Sequence, residues 1–318
     1  MGFDREYDTR RPENTHIAVL MGGWSKEREV SLNTGRACTR ALEEAGYQVT
    51  QVDAKPDIAR VLDDMQPDVA FNALHGKWGE DGVVQGVLET LKIPYTHSGV
   101  LASALAMDKP RSKTVFRDAG IPVAESKVVA LEEAASEHKM ALPYVIKPVA
   151  EGSSVGVHVV TREANGPPAT LLDERDIYGD FVMMERFIPG LELSCAVLAD
   201  VALGVTEILP LEGFYDYKAK YEEGASKHVL PADIPPRIYR KIQQYSLMAH
   251  SALGCRGVSR TDFRFDEKAG DEGELILLEV NTQPGMTGTS LVPELAEHAG
   301  HSFAELVHWM VQDASLDR

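Results

Sequence analysis

Cysteine is scarce in this chain. Cys38, Cys195 and Cys255 are the only three among 318 residues, and they stand far apart with no CxxC pair. That excludes a CxxC redox or zinc motif and marks them as reduced, mostly buried thiols. Long apolar runs are missing too, and none approaches the roughly 20 residues that span a bilayer. The opening MGFDREYDTRRPENTH is polar and charged, which excludes a secretory signal, and residues 1–15 read as a disordered leader. Met1-Gly2 lacks Ser or Thr at the sixth position, which argues against myristoylation. Positive charge is in deficit, with 32 Lys and Arg against 49 Asp and Glu and a net charge of −17. Such a balance argues against nucleic acid or an anionic membrane as partner. Any anionic substrate must be met by individually placed cations, and a cytoplasmic location is expected. Neither G-x-x-x-x-G-K-[ST] nor G-x-G-x-x-G occurs, so the Walker and Rossmann phosphate loops are excluded.

Hydrophobic residues at 44% and charged residues at 25% describe a globular protein long enough for two or three domains. Segments 17–21, 47–53 and 68–74 read as strands alternating with helices over 27–45, 57–65 and 83–91. With a short strand in IPYTHSG they form a doubly wound α/β unit. LASALAMDKPRSKTVFRDAG reads as two helices broken at Pro110, crossing into a second unit. FVMMERFI, LELSCAVLAD and ALGVTEILPLE read as strands, and GFYDYKAKYEEGASKHVLPADIPP as a mobile loop. A helix from about Pro236 to Gly254, strands SRTDFRFD and ELILLEVN, and a helix over 302–312 close the chain. The expected division is 16–108, 109–190 and 191–318.

Three stretches carry chemistry. In PYVIKPVAEGSSVGVHVV two strand-like runs flank a glycine-rich loop that begins after Lys147. Its backbone N–H groups and hydroxyls could fold over phosphates, or it could be a plain hairpin turn. In ELILLEVN the strand period of two puts Glu279 and Asn281 on one face, and Arg260 and Asp262 share that spacing in SRTDF. Two carboxylates and an amide oxygen without His or Cys suit Mg²⁺ held jointly with phosphates, although strand ends also carry solvated acids. NTQPGMTGTSL offers glycines and hydroxyls for a carboxylate or an oxyanion, or forms an ordinary turn.

Taken together, GGWSKEREVS, LHGKWGEDG, MDKPRSK, VIKPVAEGSSVGV, FYDYKAKY, SRTDF and LLEVNTQPGMTGTSL resemble, in order, the motifs of the D-alanine–D-alanine ligase family. The resemblance runs from Ile17 to about Val311 and implies an ATP-grasp fold of three α/β domains. ATP would lie between the central and C-terminal domains. It further implies attack of one D-alanine carboxylate on the γ-phosphate, and then attack of a second amine on the acyl phosphate. By resemblance Glu27 pairs with the first ammonium and His75 stands beside its carboxylate. Lys109, Lys147 and Ser153 meet the phosphates, Glu185, Arg186, Phe187 and Ile188 the adenine, and Glu192 the ribose. Lys220 and Tyr221 belong to a lid that excludes water, Lys220 reaching the phosphates and Tyr221 bonding toward Ser153 and Glu27. Arg260 and the Gly285 N–H stabilise the tetrahedral intermediate, and Ser290 and Leu291 contact the second D-alanine. Asp262, Glu279 and Asn281 hold two Mg²⁺ ions, for which Mn²⁺ can substitute. A homodimer is implied. Tyr221 favours dipeptide over the D-lactate ester made by some relatives. Gln283 stands where many members have Ser, between metal ligand and oxyanion loop, a change expected to be tolerated; the longer leader and the Asn165–Asp180 stretch depart from the common pattern without touching a matched motif. A depsipeptide ligase on the same fold, a nicotinamide dehydrogenase and an inactive ATP-binding module are the competing readings. The first turn, GGWS, speaks against the dehydrogenase, and the retained catalytic positions speak against the inactive module.

Overall fold

A computed structural model describes residues 9–153, 155–210 and 226–318. Strands β1 (His16–Met21), β2 (Gln48–Asp53) and β3 (Val69–Asn72) form a parallel sheet in the order β2-β1-β3. Beyond its first residue β1 is wholly buried, as an unbroken apolar run between two covered faces must be. Helices Arg28–Glu44, Ile58–Met65 and Val83–Leu91 connect and flank these strands.

Strands β4 (Ser126–Ala130), β5 (Tyr144–Pro148), β6 (His158–Val160) and β7 (Phe181–Arg186) make an antiparallel sheet ordered β4-β7-β5-β6. A second antiparallel sheet, β10-β9-β8-β11-β12, comprises β8 (Leu191–Leu198), β9 (Val201–Pro210), β10 (Ser226–Val229), β11 (Val258–Asp266) and β12 (Glu274–Asn281). Helix Pro236–Leu253 packs on it through Ile238, Ile242, Ala249 and Leu253, a single face at helical spacing. Helices Leu291–His298 and Phe303–Asp313 then return to the first sheet. Leu295, Leu306, Val307 and Met310 share one core with Ile17, Val19 and Phe71. The end of the chain is thereby locked against its beginning. All three thiols are buried, and burial pushes those of Cys195 and Cys255 up to about 12.

Several sequence expectations change. Residues 10–15, expected to be part of a disordered leader, are ordered. The Arg10 guanidinium donates to the carbonyls of Val311 (3.1 Å), Gln312 (2.8 Å) and Ala314 (2.6 Å), which pins residues before β1 to the last helix. IPYTHSG makes only two isolated bridges, both through Tyr95, to Ala70 and Ser315, because Pro94 has no N–H and His97 takes a φ of 70°. The helical break falls at Asp108, whose carboxylate accepts from the Arg111 N–H at 3.1 Å. Pro110 sits in the first turn, where a missing N–H costs nothing. Of the strand-like run after the glycine loop only His158–Val160 forms a strand, since the Gly156 carbonyl accepts from the Tyr178 hydroxyl (2.7 Å) instead of joining a ladder. Ser226–Val229, within the expected loop, pairs with β9. Lys220 and Tyr221 lie outside the described residues.

Candidate active site

Two adjoining clefts lie where the three sheets meet. The first encloses about 850 Å³ and is lined from six separate segments. These supply Glu27, His75 and Glu80, then Lys109, then Gly152 and Ser153, and finally Arg260, Glu279, Asn281, Gly285, Ser290 and Leu291. Glu27 occupies the N-cap position of helix Arg28–Glu44 and is only 4% exposed. A buried anion is tolerable there because the helix terminus presents positive partial charge. The Ser153 hydroxyl donates to its carboxylate, joining the glycine-rich loop to the first unit. Gly76 and Gly152 make room for that carboxylate: a Cβ at either would stand 2.9 and 2.8 Å from Glu27 Oε1.

His75 follows β3 and has both ring nitrogens engaged. Nδ1 lies 3.0 Å from Glu80 Oε1, and Nε2 lies 2.9 Å from Thr34 Oγ1. Glu80 and Thr34 thus grip the ring from opposite edges. The ring is thereby held at the cleft floor in one orientation.

The register of β11 and β12 sets Asp262 opposite Glu279 and Arg260 opposite Asn281. Arg260 donates to both oxygens of Asp262, from Nε at 2.9 Å and Nη2 at 2.7 Å, and Ser194 Oγ donates to the same carboxylate at 2.6 Å. Lys109 Nζ donates to the Glu151 carbonyl at 2.6 Å and lies 3.5 Å from Glu279. Asn281 Oδ1 accepts from the Gln283 N–H at 2.8 Å. Among the described residues no cluster of three His, Cys, Asp or Glu forms. The candidate metal donors are thus two carboxylates and one amide oxygen. This hard-oxygen set fits Mg²⁺ completed by phosphate oxygens, and does not fit an all-protein cage. Gly285 borders the cleft beneath Ser290, whose hydroxyl accepts from the Thr287 N–H at 3.0 Å.

The second cleft encloses about 800 Å³ between the two antiparallel sheets. Val145, Val155, Val157, Ile188 and Leu278 give it apolar walls, and Lys147, Glu185, Arg186, Phe187, Glu192 and Arg264 complete it. Lys109, Glu151 and Glu279 line both clefts, so the two communicate at one end. Arg264 organises the far end, donating to the Ile188 carbonyl (3.1 Å), the Gly190 carbonyl (2.9 Å) and Glu192 (3.1 Å). Arg186 instead makes a bidentate pair with Glu274 at 2.7 and 3.0 Å. Glu185 is 3% exposed and stands between Lys147 (3.0 Å) and Lys113 (2.5 Å). Burial alone would raise its pKa, but the two ammoniums outweigh it and hold the carboxyl below its usual range. Burial lowers the pKa of Lys113 in spite of Glu185.

Of the residues expected from the sequence, all those within the described segments line one or both clefts. The carboxylate of Glu185 is nevertheless committed to lysines, and that of Asp262 to Arg260. Lys113, Arg264, Glu80 and Thr34 were not anticipated. Arg264 continues the period of two from Arg260 and Asp262, and Lys113 lies one helical turn beyond Lys109. Those spacings were readable signals. Nothing local marks Thr34.

Comparison with known proteins bears on this geometry. The family model described as D-ala D-ala ligase C-terminus matches residues 115–312, and that described as D-ala D-ala ligase N-terminus matches 54–98. A D-alanine--D-alanine ligase of Methylorubrum populi is 62% identical over 304 residues, covering 95% of this chain and 99% of its own length. One from Parvibaculum lavamentivorans is 62% identical over 303 residues, covering 95% and 98%. Among solved structures, the Bacillus anthracis D-alanine--D-alanine ligase complexed with ATP superposes with a TM-score of 0.76 at 30% identity, covering 94% of this chain and 96% of that one. The VanG D-Ala:D-Ser ligase of Enterococcus faecalis gives 0.74 at 31%, covering 94% and 98%. With its three sheets, its paired clefts and this extent of likeness, the chain belongs to the D-alanine–D-alanine ligase family and has its ATP-grasp fold.

Proposed function

We propose that this chain joins two D-alanine molecules in an ATP-driven reaction through a D-alanyl phosphate, supplying the dipeptide for peptidoglycan precursors. One observation carries the reading: a large, part-apolar cleft meets a polar one at Lys109, Glu151 and Glu279. A nucleotide in the part-apolar cleft and an amino acid in the polar one would bring γ-phosphate and carboxylate together there.

Adenine lies against Val145, Val157, Ile188 and Leu278, with the ribose hydroxyls at Glu192, which Arg264 orients. Lys147 and Lys109 face the phosphates. Glu27 takes the ammonium of the first D-alanine, and His75 stands beside its carboxylate. Arg260 and the Gly285 N–H receive the oxyanion as the second amine attacks, a preorganised arrangement of the kind worth about 10²–10³ in rate per donor. Ser290 and Leu291 hold the second D-alanine. Lys220 and Tyr221 are assigned to phosphate and to the Ser153–Glu27 pair by resemblance. Asp262, Glu279 and Asn281 would hold Mg²⁺, two ions by resemblance, with Mn²⁺ able to replace it. The metal, when bound, neutralises charge on the triphosphate. The division 16–108, 109–190 and 191–318, a homodimer and a cytoplasmic location complete the reading. Among the described residues no helix is long and apolar enough to cross a membrane.

The test is phosphate release from Mg·ATP with D-alanine alone and then with D-lactate or D-serine added, products being identified by mass. D-Alanyl-D-alanine is expected. Mainly D-alanyl-D-lactate or D-alanyl-D-serine would overturn the specificity. No turnover with any acceptor would overturn the activity.

A further inference from the structure

Two buried amides join walls of the first cleft that are more than 200 positions apart in sequence. Asn72, at the end of β3, is 0% exposed, and Gln283, just past β12, is 1% exposed. Asn72 Nδ2 donates to Gln283 Oε1 at 2.7 Å. Gln283 Nε2 donates in return to the carbonyls of Leu74 (2.6 Å) and Asn72 (3.1 Å). The remaining capacity of Asn72 is also used, Nδ2 donating to the Gly79 carbonyl at 3.0 Å and Oδ1 accepting from the Leu74 N–H at 3.2 Å. The Gln283 backbone N–H donates to Asn281 Oδ1 at 2.8 Å. A buried polar network satisfied to this degree is rigid, and each bond strengthens in the dry interior.

Its position gives the network its use. Leu74 precedes His75 in the wall assigned to the first D-alanine. Gln283 lies between Asn281 and Gly285 in the loop assigned to the oxyanion and the second D-alanine. A second direct link between these walls is the weaker bond from the Met286 N–H to Thr34 Oγ1, at 3.5 Å. A serine at 283, two bonds shorter in reach, could not meet Leu74 and Asn72 together.

We infer that Asn72 and Gln283 are positioning residues that fix the span between the two amino-acid subsites, so that the acceptor amine meets the acyl phosphate before water does. This rests on the site assignment above. In the coupled reaction the amine forms a C–N bond, the bond from the acyl carbon to phosphate oxygen breaks, the nitrogen loses its proton and phosphate leaves. When the span loosens, water takes the place of the amine and returns free D-alanine and phosphate. The signature is therefore uncoupling, which a loss of stability alone would not produce.

The experiment measures phosphate released and dipeptide formed by the full chain carrying Gln283→Ala. Gln283→Glu serves as an isosteric second variant that turns an oxygen toward the Leu74 and Asn72 carbonyls. The phosphate-to-dipeptide ratio is expected to rise from near one to several. kcat/KM for the acceptor D-alanine should fall by about 10²-fold, the scale of a one-ångström misplacement, while KM for ATP stays within about twofold. A ratio that stays at one with unchanged D-alanine KM in folded Gln283→Glu would overturn the inference. Ser290→Ala and Arg260→Ala separate this from the underlying assignment. Coupled wild-type turnover in both would overturn the site itself, whereas their loss beside normal Gln283 variants would overturn only the positioning role.

Discussion

Glu185 gives the sharpest test of how this structure handles charge. Its carboxylate is buried between two ammoniums, Lys113 at 2.5 Å and Lys147 at 3.0 Å, and Lys113 is itself 1% exposed. Glu185→Gln keeps the shape and removes the charge, leaving Lys113 without a counterion in a site where burial already lowers its pKa. Breaking a buried pair from one side costs about 3–5 kcal/mol. At roughly 2–4 °C per kcal/mol for a unit of this size, the midpoint should fall by about 6–20 °C. Adding Lys113→Met to Glu185→Gln should recover most of that loss, because a well-packed apolar replacement of a buried pair is often neutral. Thermal melts and ATP titrations of the single and double variants make the measurement. KM for ATP should stay raised in the double variant, since Lys147 has still lost the carboxylate that aims it. The same group sets an acid limb. Its folded pKa lies below the unfolded 4.5, so its contribution is present above that value and is lost as pH falls through the folded one. Glu185→Gln should flatten that limb. A loss under about 1 kcal/mol, or no recovery in the double variant, would refute the reasoning.

Other expectations follow from single contacts. Gly152→Ala would place a Cβ 2.8 Å from Glu27 Oε1 and should raise KM for D-alanine while the melting midpoint stays close to wild type. Glu279→Ala should abolish dipeptide synthesis, read by product mass, and retained turnover would remove it from the metal and phosphate site. Burial depresses His97 to about 3 and His250 to about 4. Below the unfolded value of 6.5 the unfolded chain therefore takes up protons that the folded one refuses, and stability falls with pH from there. His250→Asn should lessen that slope in denaturant midpoints measured between pH 7 and 5. Ser302 and Glu305 form a reciprocal capping box on helix Phe303–Asp313, and Ser302→Ala should cost about 1 kcal/mol with kcat unchanged.

Much of the fold was legible because it follows local periods. The unbroken apolar run of β1, the Gly46 that ends helix Arg28–Glu44 and the alternation in β11 and β12 each report their own conformation. Failures came where a residue's ordinary tendency met a special position. Pro110 reads as a breaker, yet it sits in the first turn of a helix, where its missing N–H has no partner to lose. Arg10 stands in a stretch whose composition reads as disordered, and only the distant carbonyls of residues 311–314 give it a reason to be ordered.

The site divides along the same line. Strand period put Glu279 and Asn281 on one face and gave Arg260 and Asp262 the same spacing, and the register sets Arg260 opposite Asn281 and Asp262 opposite Glu279. Period says which way a side chain faces, but not which group already holds it. With a net charge of −17 this chain has few cations, and those at the clefts are matched to carboxylates: Lys109 to Glu279, Lys147 and Lys113 to Glu185, Arg260 to Asp262, Arg264 to Glu192. Each match except Arg260–Asp262 joins separate elements, so no local window contains it. A cleft built this way is close to neutral before any ligand enters. A triphosphate must therefore compete for Lys109 and Lys147 rather than fall into an uncompensated field, and its affinity should depend less steeply on salt than that of a bare cationic groove of equal lysine count.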